Sequence, residues 1–169
     1  MNGNLLVRDF LLSGGSLADL ATRYAIKATR GVQHPSLVLL KYNQIDSPMA
    51  EPLVRECRGL ILDESDGFRV VSRSFDKFFN HGEGHASPID WSSARVQEKL
   101  DGSLCVLYWH DGAWRVQTSG HPEAGGKVND TSMTFADLFW EVFGLEGYAL
   151  PAEEHRDLCI AFELTTKHN

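Results

Sequence analysis

The densest run of reactive side chains in this sequence is Glu98-Lys99-Leu100-Asp101-Gly102-Ser103. A lysine amine is a nucleophile only when neutral, and at an unperturbed pKa of about 10.4 it is almost wholly protonated at neutral pH. Burial and neighbouring cations lower that value and free the lone pair. Read as a strand end, Lys99 would be held in place, and Gly102 would let the backbone approach a bulky ligand closely. Asp101 is placed to hold the amine or a metal-bound water, and Ser103 can donate to a nucleotide. A Lys-x-Asp-Gly run is also a common surface turn, so the segment alone does not choose between the two.

The elements that must position such a site follow from the apolar patterning. Leu5, Leu6, Phe10 and Leu11 give one face of a helix that Gly14-Gly15 stops, and Ser16 with Asp19 forms a capping box for a second short helix. From Ser36 the pattern turns to strands: Ser36 to Tyr42, Cys57 to Leu62, Phe68 to Ser74, Val96 to Leu100, Leu104 to Trp109, Trp114 to Thr118 and Asp157 to Thr165. Asp63 to Gly67 and His110-Asp111-Gly112 read as hairpin connections, and His121 to Asp130 as a loop. Thr134 to Phe143 has apolar residues at helical spacing, with Thr134 as its cap and Gly144 as its stop. Hairpins followed by an isolated helix predict an antiparallel α+β domain with N-terminal helices. The helical lead-in is expected over about 1–30 and the strand-rich portion over about 36–169. The last strand runs straight into Lys167-His168-Asn169, so the expectation is the N-terminal part of one domain, continued elsewhere.

Three further segments bear on the lysine: Glu56-Cys57-Arg58-Gly59, Ser74-Phe75-Asp76-Lys77-Phe78-Phe79-Asn80, and Phe162-Glu163-Leu164-Thr165 followed by Asn169. In order and spacing, these and Glu98 to Ser103 resemble the ATP-dependent RNA ligases typified by the first RNA ligase of bacteriophage T4, over about residues 53–169. The resemblance implies a nucleotidyltransferase (adenylyltransferase) fold. It implies that Lys99 attacks ATP to form a lysyl-adenylate, passes AMP to an RNA 5′-phosphate, and allows a 3′-hydroxyl to seal the ends. It assigns Arg58 and Lys77 to the triphosphate, and Glu98, Leu100, Gly102 and Ser103 to the nucleotide around the lysine. Glu163 matches a carboxylate beside the ribose and the metal waters; with Asp101 it would hold Mg²⁺ through water. Phe78, Phe79 or Phe162 would pack on adenine. The family also carries a basic residue in a Ser-Lys-Gly-like strand end, where this chain has Gln117-Thr118-Ser119-Gly120; that cation is missing or supplied elsewhere, with Lys127 as a candidate. Two later motifs of the family, a Glu-Gly segment and a Lys-x-Lys strand, would fall beyond Asn169, supplied by a C-terminal portion or a separate chain.

Composition narrows the classes. The chain has 169 residues, 43% of them hydrophobic, which suits one core, and its net charge of -7 is not that of a protein held to nucleic acid by bulk charge. RNA contact must come from a local patch. There is no apolar run of membrane-spanning length, and Met1-Asn2-Gly3-Asn4 lacks a basic signal-peptide start. Cys57, Cys105 and Cys159 fit neither a disulfide framework nor a zinc pattern, so a reducing cytoplasm is expected. His81-Gly82-Glu83-Gly84-His85 reads as a polar loop and not a zinc pair, because two glycines oppose a helix there; the family resemblance implies that Asn80 and Glu83 are pocket-edge residues. Trp109, Trp114 and Trp140 are expected in hairpin and helix cores, as is Trp91. Two rivals remain: a DNA ligase or capping-type nucleotidyltransferase sharing Lys99 to Gly102, and a split or non-catalytic module that binds a nucleotide or an RNA end.

Overall fold

In the computed structural model, residues 5–129 and 131–168 are described; Met1-Asn2-Gly3-Asn4, Asp130 and Asn169, which the sequence reading touched, lie outside them. The fold is α+β, built from two antiparallel sheets that face each other. Two helices, α1 (Leu6–Leu12) and α2 (Leu17–Tyr24), lead into β1 (Ile26–Arg30), β2 (Leu37–Tyr42), a single-turn α3 (Pro52–Glu56), β3 (Arg58–Asp63) and β4 (Arg69–Ser72). The second sheet comprises β5 (Ser103–His110), β6 (Ala113–Thr118) and β7 (Ile160–Leu164), with α4 (Phe135–Leu145) between β6 and β7. Strand order is β1-β2-β3-β4 in one sheet and β6-β5-β7 in the other.

Side-chain alternation explains why β2 is apolar almost throughout. Val38, Leu40 and Tyr42 join Val7, Leu11, Leu20 and Val54 in a core beneath the helices. Leu37 and Leu39 face the opposite way, where with Ile61 and Val71 of the same sheet they pack against Tyr108 of the second. A strand covered on both faces cannot alternate apolar with polar. In the second sheet Cys105, Leu107, Val116 and Leu164 pack under Leu138, Phe139 and Phe143 of α4. Tyr108 points the other way and donates its hydroxyl to the Pro122 carbonyl oxygen, 2.7 Å away in a buried site.

Both expected capping boxes form: Ser16 with Asp19 on α2, and Thr134 with Asp137 on α4. The β5–β6 turn places Asp111 and Gly112 at φ 48° and 74°, the left-handed pair that suits a tight hairpin. α4 runs one residue past Gly144, and the left-handed glycine behind it is Gly147. β1 and α3 were not anticipated. β1 exposes most of its residues, and α3 is too short to show a period. A larger correction concerns Val96 to Leu100, expected as a strand. The segment 73–102 contains no helix or strand, and Val96 and Leu100 are exposed. β5 is flanked on both sides, but Ser103 pairs with the last residue of β7 and Cys105 with the last of β6. Among the described residues nothing lies beside 96–100 to accept its ladder hydrogen bonds, and an unpaired strand is not stable in water.

Candidate active site

The Cys57-Arg58-Gly59 segment owes its form to a bulge. In the β2–β3 ladder Leu40 pairs with Leu60, but Lys41 pairs with Arg58, leaving Gly59 as the extra residue at φ 79°. Only glycine takes that conformation at low cost. The extra residue reverses the parity of β3. Without it, Arg58 would share the face of Leu60 and enter the apolar core under the helices; with it, Arg58 emerges on the side of Lys41, toward the second sheet. The sheets meet here. Gln117 Nε2 donates to the Gly59 carbonyl oxygen at 2.6 Å, and a β-carbon on Gly59 would lie 3.2 Å from Ser119 Cα.

Lys77 reaches the same place from the irregular segment. Its backbone N–H donates to the Arg55 carbonyl oxygen at 2.9 Å, and its Nζ to that of Phe78 at 2.6 Å. The Arg58 guanidinium lies 4.7 Å from the Phe78 ring centroid. The result is a cleft of about 240 Å³ lined by Lys41, Tyr42, Gln44, Arg58, Lys77, Phe78, Leu104 and Ser119. Among the described residues three cations line it and no carboxylate does. Arg58 Nη1 is buried and has no hydrogen-bond partner. Burial raises the Tyr42 phenol above its ordinary value, although the Arg58 guanidinium opposes that shift. Like charges placed opposite each other on a ladder, as Lys41 and Arg58 are, cost roughly 0.2–1 kcal/mol. An arrangement that keeps that repulsion and an unpaired buried donor is suited to an anion.

Leu104 and Ser119 continue this cleft into a hollow of about 280 Å³ shared with Gly102, Ser103, Thr118 and Phe135. Glu163 pairs with Leu104 across β5 and β7, and its Oε1 accepts from the Gly102 N–H at 3.0 Å. Gly102 has little alternative to being glycine, since a β-carbon would sit 2.4 Å from the Leu164 carbonyl oxygen. A third hollow, about 340 Å³, is lined by Leu100, Phe162, Glu163 and Tyr148 with residues of α4.

The sequence-predicted residues thus fall into groups. Arg58, Lys77 and Phe78 share one cleft. Gly102, Ser103 and Glu163 meet at the start of β5, and Leu100 and Phe162 line the third hollow. Phe162 also packs edge-on against Phe139 and Phe143, so it is part of the α4 core. Lys99 is different: its side chain is 88% exposed, and its Nζ lies 3.9 Å from an equally exposed Asp101 Oδ1. The expected strand-held, buried amine is absent because its strand has no neighbour, and Glu98 is exposed beside it. Lys127, the candidate substitute cation, forms a bridge with Thr134 at the foot of α4 and does not line the cation cleft. Asn80 and Glu83 close a turn on each other and line none of the three hollows. Trp91 is exposed and packs edge-on against His81. Lys41 and Tyr42 were missed, and Ser119 was noted only within the stretch that lacks a cation; the signal was one charge inside an otherwise apolar strand, where lysine is rare.

Two buried thiols are poor candidates for the nucleophile. Burial pushes the Cys57 thiol far up, and the Cys105 thiol to about 12.

A family model described as RNA ligase matches residues 56–167. The chain is 33% identical over 176 residues to a candidate bifunctional polynucleotide kinase/RNA ligase of Autographa californica nuclear polyhedrosis virus, covering 94% of this chain and 25% of that protein. It is 35% identical over 117 residues to an RNA ligase of Rhodothermus phage RM378, covering 52% of this chain and 26% of that protein. The chain therefore spans about a quarter of the length of these curated relatives. No solved structure matches it significantly.

Proposed function

Because the chain belongs to the RNA ligase family, the ATP-dependent group typified by the first RNA ligase of bacteriophage T4, we propose that it is the N-terminal part of an adenylyltransferase domain that joins RNA ends. Lys99 Nζ attacks the α-phosphorus of ATP; a P–N bond forms, the P–O bond to pyrophosphate breaks, and the amine proton leaves to solvent. An oxygen of an RNA 5′-phosphate then takes the AMP, breaking the P–N bond and returning the lysine. A 3′-hydroxyl finally attacks the activated 5′-phosphate and expels AMP. RNA repair in a reducing cytoplasm is the setting this chemistry suits.

The observation that carries the reading is convergence. Arg58 and Lys77, far apart in sequence, face one acid-free cleft that reaches the start of β5 through Leu104, and Glu163 is tied to Gly102 three residues from Lys99. The cations would hold the departing pyrophosphate, where positioning and charge neutralisation supply most of the rate. Asp101 and Glu163 are the carboxylates available for Mg²⁺. The ion would be bound mainly by phosphate oxygens and water. Bound there, Mg²⁺ would neutralise charge on the phosphates. The reading also requires 96–102 to move from solvent onto the cleft, because Lys99 Nζ stands in solvent and lies outside the lining of the cation cleft. A neighbouring strand from the C-terminal portion, or from a separate chain, would hold it there.

The test is incubation of the full-length protein with α-labelled ATP and Mg²⁺. Label should survive denaturation in the parent and be lost in Lys99→Ala; equal labelling of both removes Lys99 from its role. Preference for GTP or for DNA ends would select the capping or DNA-ligase rival. The exposure of Lys99 favours one other reading, a module that binds nucleotide or an RNA end without chemistry. ATP binding with no label in the parent would select it.

A further inference from the structure

Lys41 is the cleft cation that neither the sequence motifs nor the comparisons assign. It is a charge in a strand whose other residues, Leu37 to Leu40 and Tyr42, are buried. Alternation sets it on the face of Leu37 and Leu39, toward the second sheet, at the end where that interface opens into the cation cleft. Its Nζ donates to Ser119 Oγ at 3.4 Å and lies 3.9 Å from where a β-carbon on Gly120 would be. Ser119, which follows the last residue of β6, lines the same cleft with a hydroxyl. The Gly59 bulge sets Arg58 directly opposite Lys41, and Arg58 keeps a buried, unpartnered Nη1. Two cations opposed on a ladder, with no acid lining the cleft, are compensated when an anion lies between them.

We propose that Lys41 holds the polyphosphate of a nucleoside triphosphate together with Arg58 and Lys77. This rests on the nucleotide reading above and deepens it. Lys41 supplies the charge and Ser119 makes room for it, so the pair is interchangeable as a unit: a lysine from either strand reaches one point in the cleft, while lysines at both positions crowd it.

The probe is inorganic tripolyphosphate, titrated calorimetrically into the full-length protein, with AMP as the control ligand. Lys41→Met should weaken tripolyphosphate binding by about tenfold or more, the worth of one charge-assisted hydrogen bond, and leave AMP binding within twofold. Lys41→Arg should retain most of the affinity. The double variant Lys41→Met/Ser119→Lys should restore it, a result that a merely structural Lys41 would not give. Tripolyphosphate binding unchanged in Lys41→Met overturns the proposal. So does an equal loss for tripolyphosphate and AMP, or a folded double variant with no recovery. Labelling from α-labelled ATP is scored separately in the same proteins. A parent that binds tripolyphosphate through Lys41 yet takes no label sinks the ligase chemistry and leaves this site standing, whereas a labelled parent indifferent to Lys41→Met sinks this inference alone.

Discussion

Replacing Gly102 by alanine should separate positioning from stability. The added β-carbon would lie 2.4 Å from the Leu164 carbonyl oxygen, 2.8 Å from Thr165 Cγ2 and 3.0 Å from the Leu164 carbonyl carbon. The closest of these is about 1 Å short of ordinary van der Waals separation. Leu164 cannot yield, being buried under α4 and paired with Ser103. The part that moves is 99–102, which no ladder holds. That shift breaks the Gly102 N–H to Glu163 bond, worth about 1 kcal/mol or less at an exposed site, and residual strain adds roughly 1–2 kcal/mol. Together these lower stability by about 2–3 kcal/mol, so Tm should fall. Catalysis is more sensitive, because a 1 Å misplacement of a reacting group costs about a hundredfold. The assay pairs the initial rate of label transfer from α-labelled ATP with thermal unfolding of the same full-length variant. A Tm that drops while labelling stays at the parent rate would show that Gly102 serves packing alone. No change in either would show that the close approach to β7 is not made.

Glu56 should behave as a helix cap rather than a ligand. Its buried carboxylate accepts from the N–H groups of Leu6 (3.1 Å) and Val7 (3.0 Å) at the start of α1, so Glu56→Ala should cost about 1–3 kcal/mol in urea unfolding, and a loss below about 0.5 kcal/mol would refute the cap. Glu123 should set part of the acid limit of stability. Burial alone would raise its carboxyl, but the N–H groups of Gln33, Val32 and His34 and the His34 ring outweigh burial and bring it below the ordinary 4.5. Its contribution is therefore complete above about 4.5 and disappears as pH falls through the lower folded value. Glu123→Gln should flatten Tm against pH across that interval; an unchanged acid slope would assign the limit to other groups.

Fold legibility followed the strength of local signals. The caps of α2 and α4, the Asp111-Gly112 turn and the apolar runs of β2, β3 and β5 are each set by side chains within a few residues, and each was readable. β1 was not, because its stability comes from the ladder with β2 and not from its own mostly exposed side chains. Val96 to Leu100 failed for the converse reason. Its residues favour a strand, but a strand is a property of a pair, and β6 and β7 both end before they could flank it.

The motif letters named Arg58, Lys77, Phe78 and Glu163 without saying what brings them together, and the bulge supplies much of that answer. One inserted glycine turns Arg58 away from the helical core, sets it opposite Lys41, and presents its own carbonyl to Gln117 of the other sheet. Cation placement and sheet-to-sheet contact therefore share a single backbone feature. That is also why Lys41 stayed hidden: its importance lies in the register Lys41 to Arg58, which depends on Gly59 being skipped, and no count along the sequence reveals a skipped residue. Lys127 lies eight positions beyond Ser119 and looked the nearer substitute, yet the turn at 121–126 carries it to the foot of α4. Proximity in the chain does not place Lys127 in the cleft lining, whereas the bulged ladder places Lys41 there.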